Sequence, residues 1–340
     1  MIRGAIEFGT QGGLVCRSRR RRRGTERRAR KVQERRAREI SSGTGRDGAH
    51  GSALKGMLVM ALAVIAYPLV DALAKLLSRE LPVLEIVWAR YALQSVAVLP
   101  FVLWRHGWAS LVVREGPLQV TRAGFHLATA TLFFLALPMA PLSDCLATFF
   151  VSPIIITLLA VPLLGERIGA WRAGAVIAGF IGILLITRPG FGAVSLGLLL
   201  AFASGCTHAL FAITSRRLAG SDPPLVGTLL IGLLGAVTLG LAMPMVWVWP
   251  DPRQWLLLAC IGGFAALCQW LVTLAYEHSP ASHLAPVGYL EIVSATVLGF
   301  LLFGDFPAPV TWIGIAIVIA SGIVIAWREQ VRRQGRNPGQ

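Results

Sequence analysis

The stretch SHLAPVGYLEIVSATVLGFLLFGD, residues 282–305, is an apolar run long enough to cross a lipid bilayer. A helix needs about 20 mostly apolar residues to span the roughly 30 Å hydrocarbon layer. His283 and Asp305 lie at the two ends, where water reaches them, but Glu291 lies near the middle, two residues after Tyr289. A charge inside hydrocarbon costs about 2.5–3.5 kcal/mol on insertion scales, so such a residue usually faces a cavity or a partner. Glu291 therefore requires a functional or structural reason.

The whole chain has the composition of a membrane protein. Of its 340 residues, 55% are hydrophobic and 14% are charged, and the mean hydropathy is +0.66. Soluble domains carry roughly 25% charged residues. The sequence predicts an all-α polytopic membrane protein with ten transmembrane helices. Their predicted bounds are 54–77, 84–104, 123–141, 144–164, 171–187, 195–214, 224–248, 255–276, 282–303 and 310–327.

The formal net charge of +15 is concentrated at the termini. Residues 1–52 contain 15 Lys or Arg against five Asp or Glu, and residues 328–340 are also basic. Basic residues favour the cytoplasmic side of short loops. With both termini in the cytoplasm, the inner loops hold Arg105, Arg114, Arg122, Arg167, Arg172, Arg216 and Arg217. The outer loops then hold Arg79, Arg188 and Arg253. This distribution predicts an inner (plasma) membrane protein with both termini inside.

The Arg-rich tail, residues 1–52, is predicted to be disordered and cytoplasmic. Its composition also fits an arm for nucleic acid or an anchor for anionic lipid. A solvated tail that reinforces the orientation of the protein is the simpler interpretation, so no nucleic-acid partner is predicted.

A second stretch repeats the pattern of residues 282–305. Residues 143–166 read SDCLATFFVSPIIITLLAVPLLGE. Both stretches begin with Ser and end with a glycine followed by an acid. The matched pairs include Phe150 with Tyr289, Ser152 with Glu291, and Thr157 with Thr296.

The segments that follow these two stretches agree in the same order. AWRAGAVIAGFIGILL (170–185) is similar to TWIGIAIVIASGIVIA (311–326). Residues 53–187 and 195–327 are therefore predicted to be two five-helix repeats. An odd number of helices places the second repeat upside down in the membrane, and inverted repeats of this kind are typical of transporters.

With both repeats identified, the chain resembles the drug/metabolite transporter superfamily and, within it, the ten-helix EamA group. The motifs that carry the resemblance are SPIIITLLAVPLLGERIGAWRAGAVIAGFIGILLITRPG (152–190) and APVGYLEIVSATVLGFLLFGDFPAPVTWIGIAIVIASG (285–322). Asp305 departs from the family pattern, which usually has Gly-Glu at this point. DALAKLLSRELPVLEIVWARY (71–91) further resembles the bacterial subgroup that includes riboflavin, S-adenosylmethionine and metallophore transporters. The resemblance implies that the fourth and ninth helices line a central cavity.

Glu291 is then expected to face the cavity and to bind a proton or a cationic group of the substrate. The alternative is a buried carboxylate that bonds to a neighbouring helix and locks the bundle. Tyr289 lies about 160° from Glu291 around a continuous helix, so the two share a face only if the helix is broken near Pro286 or Gly288. Ser152, by repeat symmetry, is expected to supply a polar group from the other half.

Further candidates for the binding site lie on other helices. Phe150 and Trp270 can stack on a planar ligand, although aromatic residues in membrane helices are more often packing or interface residues. Gln269 is a polar candidate beside Trp270. His126 is another, although a single histidine on an apolar face is more often a satisfied core residue.

Four charged residues near the predicted outer ends of the first two helices form a separate group. Asp71 and Lys75 lie one turn apart with the acid first, the favourable order for an ion pair. Arg90 lies in the second helix with Glu85 nearby. The group is predicted to be an ion-pair cluster that closes the outer mouth or reaches the headgroups. The alternative is an extracellular gate or a clamp on an anionic substrate group.

No motif indicates a metal or a cofactor. The sequence has no Cys/His spacing typical of a metal site, and its five cysteines form no C-x-x-C pair.

Three functions are compared. A secondary active transporter would move a small organic metabolite (amino-acid-, vitamin- or nucleoside-like) by alternating access, with protons as the coupling ion. A lipid-modifying membrane enzyme would need clustered His, Asp or Glu at an interface, which the short loops lack. A non-transporting partner or sensor would use the Arg-rich tail as its contact arm. The transporter is favoured, with a small-molecule substrate and membrane lipid as partners and a homodimer left open.

Overall fold

The computed structural model describes residues 44–108, 115–164, 170–187, 195–218, 223–279 and 281–336. Within these ranges every regular element is a helix, which confirms the prediction of an all-α protein. The first six are α1 (Thr44–Leu77), α2 (Val83–His106), α3 (Gly116–Ala136), α4 (Leu142–Phe149), α5 (Ser152–Leu164) and α6 (Ala170–Thr187). The others are α7 (Leu196–Arg217), α8 (Pro224–Gly240), α9 (Met243–Val246), α10 (Pro252–His278), α11 (Ala281–Gly288), α12 (Leu290–Phe303) and α13 (Pro309–Arg336).

The described helices are apolar enough for a bilayer. Six segments have the length and composition to cross it: Leu54–Leu77, Val83–Arg105, Leu142–Leu159, Leu196–Arg217, Pro252–His278 and Pro286–Phe303. Shorter apolar helices cover Ala173–Ile186, Pro224–Gly240 and Pro309–Val324. The chain is thus a multi-pass membrane protein, while the number of ten transmembrane helices stays a prediction. The predicted disorder of residues 1–52 concerns residues that lie largely outside those described.

Three of the predicted helices are interrupted: the run 224–248 is divided between α8 and the short α9, and two others break near their middle. The run 144–164 is divided between α4 and α5 at Phe150, and the run 282–303 is divided between α11 and α12 at Tyr289. At each of these two breaks a backbone hydrogen bond spans three residues where an α-helix has four. Val151 N–H donates to Thr148 O at 3.0 Å, and Tyr289 N–H donates to the carbonyl oxygen three residues earlier at 3.3 Å. The two breaks fall at positions that match in the repeat alignment.

Proline accounts for the position of the first break. Pro153 lacks the N–H that would bond the carbonyl of Phe149 in a continuous helix, and its ring disfavours a helical conformation before it. The second break follows Pro286, which lies inside α11. Helices broken within an apolar segment are typical of transporter binding sites.

Glycines allow helices of the two repeats to pack at close range. A Cβ added to Gly314 on α13 would lie 2.7 Å from the carbonyl oxygen of Gly182 on α6, and one added to Gly182 would lie 2.9 Å from the carbonyl oxygen of Gly314. The contact is reciprocal, as expected when equivalent helices meet across a symmetry axis. Small residues provide this close approach in membrane bundles, where hydrophobicity alone does not hold helices together.

A second pair of contacts also follows the repeat. Gly56 of α1 packs against Ser279, at the end of α10, and Gly197 of α7 packs against Met139, just beyond the end of α3. In the repeat alignment α1 matches α7 and α10 matches α3, so the two contacts join equivalent pairs of helices. The packing of the described helices therefore follows the internal repeat found in the sequence.

We predict that Gly314→Ala destabilises the protein. The new methyl group must displace a backbone oxygen, and overpacking of this kind costs about 1–3 kcal/mol, more than the helix propensity gained. Gly174→Ala is the matched control because a Cβ there meets nothing within 4 Å. Unfolding in detergent followed by circular dichroism is the measurement, and equal stability of the two variants would contradict the close contact.

Candidate functional site

A polar cluster lies between α1 and α2. Tyr67 and Asp71 are one turn apart on the same face of α1. Arg90 of α2 donates from Nη2 to Tyr67 Oη at 3.0 Å, which places the guanidinium against that face. Asp71 and Arg90 are 4% and 6% exposed, so both charged groups are inside the bundle. Asp71 interacts electrostatically with Arg90, although no ion pair joins the two side chains.

Two aromatic rings fix the orientation of Arg90. Its guanidinium carbon lies 5.8 Å from the ring centroid of Tyr67 and 5.2 Å from that of Phe134. Cation–π contacts of this kind suit the weakly hydrated guanidinium group. Arg90 Nε is buried without a hydrogen-bond partner among the described residues.

Glu291 belongs to the same region of the bundle. It lies in the first turn of α12, directly after the break at Tyr289, where the positive end of the helix favours a carboxylate. The side chain is partly buried and interacts electrostatically with Asp71. Ser294, one turn further along α12, donates to Ile65 O at 2.6 Å, so α12 lies beside α1. No described Lys or Arg forms an ion pair with Glu291 or with Asp71.

The aromatic residues at the two helix breaks meet each other. The rings of Phe150 and Tyr289 lie 5.1 Å apart between centroids. Tyr289 is 7% exposed and its hydroxyl group occupies the space above Gly322, where a Cβ would overlap it. Its side chain therefore joins the two breaks to α13. Ser152, the first residue of α5, is buried, and no hydrogen bond links it to Glu291 in the described structure.

Three further candidates are His126, Gln269 and Trp270. His126 shares a 2.8 Å hydrogen bond between Nδ1 and Tyr91 Oη, and its ring lies 4.8 Å from that of Phe211, so it is a bonded core histidine. Gln269 is partly buried on α10. Trp270 is 42% exposed, which places its ring on the surface of α10.

The ion pair predicted between Asp71 and Lys75 is not formed. Lys75 Nζ instead binds Asp305 Oδ2 at 2.9 Å and donates to Ala140 O at 2.9 Å. It also lies 4.8 Å from the ring centroid of Phe303. Gly304 explains this partner: its left-handed conformation, φ +70°, ends α12 and brings Asp305 to the end of α1. The pair joins the first repeat to the second.

Glu85 has a different role from the one predicted. It is fully buried, and its Oε2 accepts a hydrogen bond from Val248 N–H at 3.1 Å. Val248 lies between two tryptophans, of which Trp247 packs edge-on against Trp88 at 5.4 Å. Glu85 therefore holds the segment that precedes α10 and takes no part in an ion-pair cluster.

Sequence reasoning missed two residues, Tyr67 and Asp305. Tyr67 carries a local signal, because it precedes Asp71 by one turn in an otherwise apolar helix. In the sequence, Asp305 is distinguished only as a departure from a motif. Its partner is 230 residues away along the chain, and nothing in a single sequence indicates such a pairing.

The two halves of the chain each match the same family of known proteins. The sequence model of the EamA-like transporter family matches residues 54–188 and again residues 195–327. The riboflavin transporter of Vibrio cholerae is 28% identical over 299 residues, which cover 84% of this chain and 97% of that protein. The S-adenosylmethionine uptake transporter of Rickettsia prowazekii is 24% identical, with coverage of 84% and 97%.

Two further similarities complete the comparison. The pseudopaline exporter of Pseudomonas aeruginosa is 27% identical over 281 residues, with coverage of 80% of this chain and 95% of the exporter. A solved crystal structure that is 20% identical superposes with a TM-score of 0.59, covering 82% of this chain and 99% of that one. This last similarity shows the fold alone.

We predict that Lys75 and Asp305 are energetically coupled. Lys75→Met and Asp305→Asn should each lower the free energy of unfolding, and the double variant should lose less than their sum, with a coupling of about 1 kcal/mol. The pair Arg253 and Glu80, with N–O 3.7 Å apart and largely exposed, is the control, and its coupling should be near zero. Additive losses at Lys75 and Asp305 would contradict the interaction.

Proposed function

Because this chain belongs to the EamA-like transporter family, we propose that it is a proton-coupled secondary transporter that works by alternating access. Family membership and the named relatives make it a transporter of a small molecule across a membrane. The proposal adds the driving ion, the residue that carries it and the site of closure. It also adds the orientation, in the inner membrane with both termini in the cytoplasm, which rests on the distribution of arginines between the loops.

The observation that carries the proposal is the position of Glu291. This carboxyl group follows a helix break in the second repeat, beside α1 of the first, and has no Lys or Arg ion-pair partner among the described residues. A charge held away from water without a partner is costly, and a proton removes that cost. Glu291 is therefore suited to take up a proton on one side of the membrane and release it on the other.

Two features support alternating access. The helix breaks at Phe150 and Tyr289, one in each repeat, give both halves a point at which a helix can bend, and their rings meet between the halves. The ion pair of Lys75 with Asp305 connects the two repeats at one end of the bundle. With the proposed orientation, this end faces outward, so opening of the outer mouth requires the pair to separate.

The neighbouring Asp71 and Arg90 are assigned to the substrate. They are buried, oppositely charged and not ion-paired with each other. Charged groups at such depth usually mark a substrate or ion pathway. The site then contains one group for the proton and two groups for the ligand.

We predict that Glu291→Gln removes coupling to protons while the protein still folds. Purified protein in proteoliposomes with an imposed pH gradient would be tested for uptake of riboflavin, S-adenosylmethionine, amino acids and amino-carboxylate metallophores. The wild type should accumulate a substrate, and Glu291→Gln should lose accumulation but retain exchange of preloaded substrate. Glu277→Gln, at an exposed acid on α10, is the matched control. Unchanged accumulation in Glu291→Gln would refute the coupling role.

A second prediction concerns the outer closure. In a cysteine-free background, Lys75→Cys and Asp305→Cys joined by a short bifunctional thiol reagent should block transport, because the two repeats can no longer separate at that end. Cleavage of the link should restore transport. Either single cysteine variant treated in the same way is the control. Full transport by the linked protein would show that this end does not open during the cycle.

A further inference from the structure

We propose that the substrate carries an α-amino-acid group, bound with its carboxylate at Arg90 and its ammonium at Asp71. The inference rests on the proposed function and names the class of compound that the same site accepts. It depends on the hydrogen-bonding capacity and the charge of three described side chains.

Arg90 retains capacity for an anion. One amino group of the guanidinium donates to Tyr67, and neither Nη1 nor Nε forms a hydrogen bond among the described residues. Nε–H is buried without a partner, which normally costs about 1–3 kcal/mol. A carboxylate is the group that best matches a guanidinium edge, since two parallel hydrogen bonds form between them.

Asp71 retains capacity for a cation. It is 4% exposed and no described Lys or Arg forms an ion pair with it, although the favourable partner Lys75 lies only one turn away on the same helix. Lys75 is instead engaged by Asp305 and by a backbone carbonyl group. An ammonium group contributes both the positive charge and the N–H donors that Asp71 lacks.

The arrangement of the two groups selects for a compound with both charges. Asp71 and Arg90 interact electrostatically without forming an ion pair, and Tyr67 contacts Arg90 from the turn next to Asp71. An α-amino acid has its ammonium and carboxylate on one carbon atom, so it can bridge a separated carboxylate and guanidinium. A ligand that lacks one of these charges leaves one buried ion without a partner, which is strongly unfavourable.

Charge balance gives the same result. With Glu291 protonated, Arg90 and Asp71 are balanced, and a zwitterionic group adds no net charge to the interior. An uncharged flavin would leave both ions unbound, whereas a phosphate ester would add negative charge beside Asp71. The site therefore favours amino-acid compounds over both.

Binding to the purified full-length protein in detergent, measured by thermal shift and calorimetry, tests the inference. The probes are the twenty protein amino acids, S-adenosylmethionine, riboflavin, and for each bound amino acid the analogues without the carboxylate or without the amine. At least one amino-acid compound should bind, and each analogue should bind at least about ten-fold more weakly, as expected when a buried charge loses its partner.

Variants of the site add a second readout. Arg90→Lys should weaken binding of the amino acid at least about ten-fold but change binding of its decarboxylated analogue little. Asp71→Asn should also weaken binding of the amino acid at least about ten-fold but change binding of its deaminated analogue little. Arg253→Lys, at an exposed arginine, is the control. The analogue series on the wild type remains decisive even if a variant fails to fold.

The outcomes separate this inference from the proposed function. Binding of riboflavin alone, binding of no probe, or equal binding of an amino acid and its analogues would overturn the inference. Uptake of riboflavin without uptake of amino-acid compounds would refute the ligand class and leave the transporter intact. Binding of an amino acid without its uptake or exchange would support the ligand class and refute the transport cycle.

Discussion

The cost of holding a charge away from water governs this structure. Most of the membrane region is Leu, Ile, Val, Ala and Gly, and the few ionisable groups inside it resolve that cost in different ways. Lys75 has an ion pair and a carbonyl group, and Glu85 accepts a backbone N–H. Arg90 donates to Tyr67 and lies within cation–π distance of two rings. Of the carboxylates named here, Asp71 and Glu291 lack an ion-pair or hydrogen-bond partner among the described residues, which is why both enter the functional proposals.

Close packing between the repeats complements this use of charge. The reciprocal contact of Gly182 with Gly314 needs no polar side chain, so it can hold α6 to α13 firmly without any cost of burying charge. The polar contacts lie elsewhere, along α1 and α12, where Ser294 meets Ile65 and Asp305 meets Lys75. The molecule thus separates a tightly packed, apolar interface from one that contains exchangeable polar bonds.

Sequence patterns predicted the all-helical membrane fold, because it depends on local composition and spacing. The two five-helix repeats and the role of Glu291 stay predictions. The sequence indicates a break near Tyr289 only as the condition under which Tyr289 and Glu291 share a face. It does not predict the break at Phe150, since the run 144–164 is as apolar as an unbroken helix despite Pro153. The predicted pair of Asp71 with Lys75 was wrong for a physical reason: helical spacing makes a pair available, but a stronger partner from a distant turn replaces it. Tyr67 and Asp305 became visible only when the packing of α1 against α2 and α12 was known.

The ion pair of Lys75 with Asp305 has a consequence for the resting distribution of the protein between its conformers. In the alternating-access cycle proposed above, a bond formed only when one end is closed adds its free energy to that state alone. A bias of about 1 kcal/mol changes the ratio of two conformers roughly five-fold. In that cycle the pair can set which conformer predominates before any substrate arrives, and so which side of the membrane the empty binding site faces.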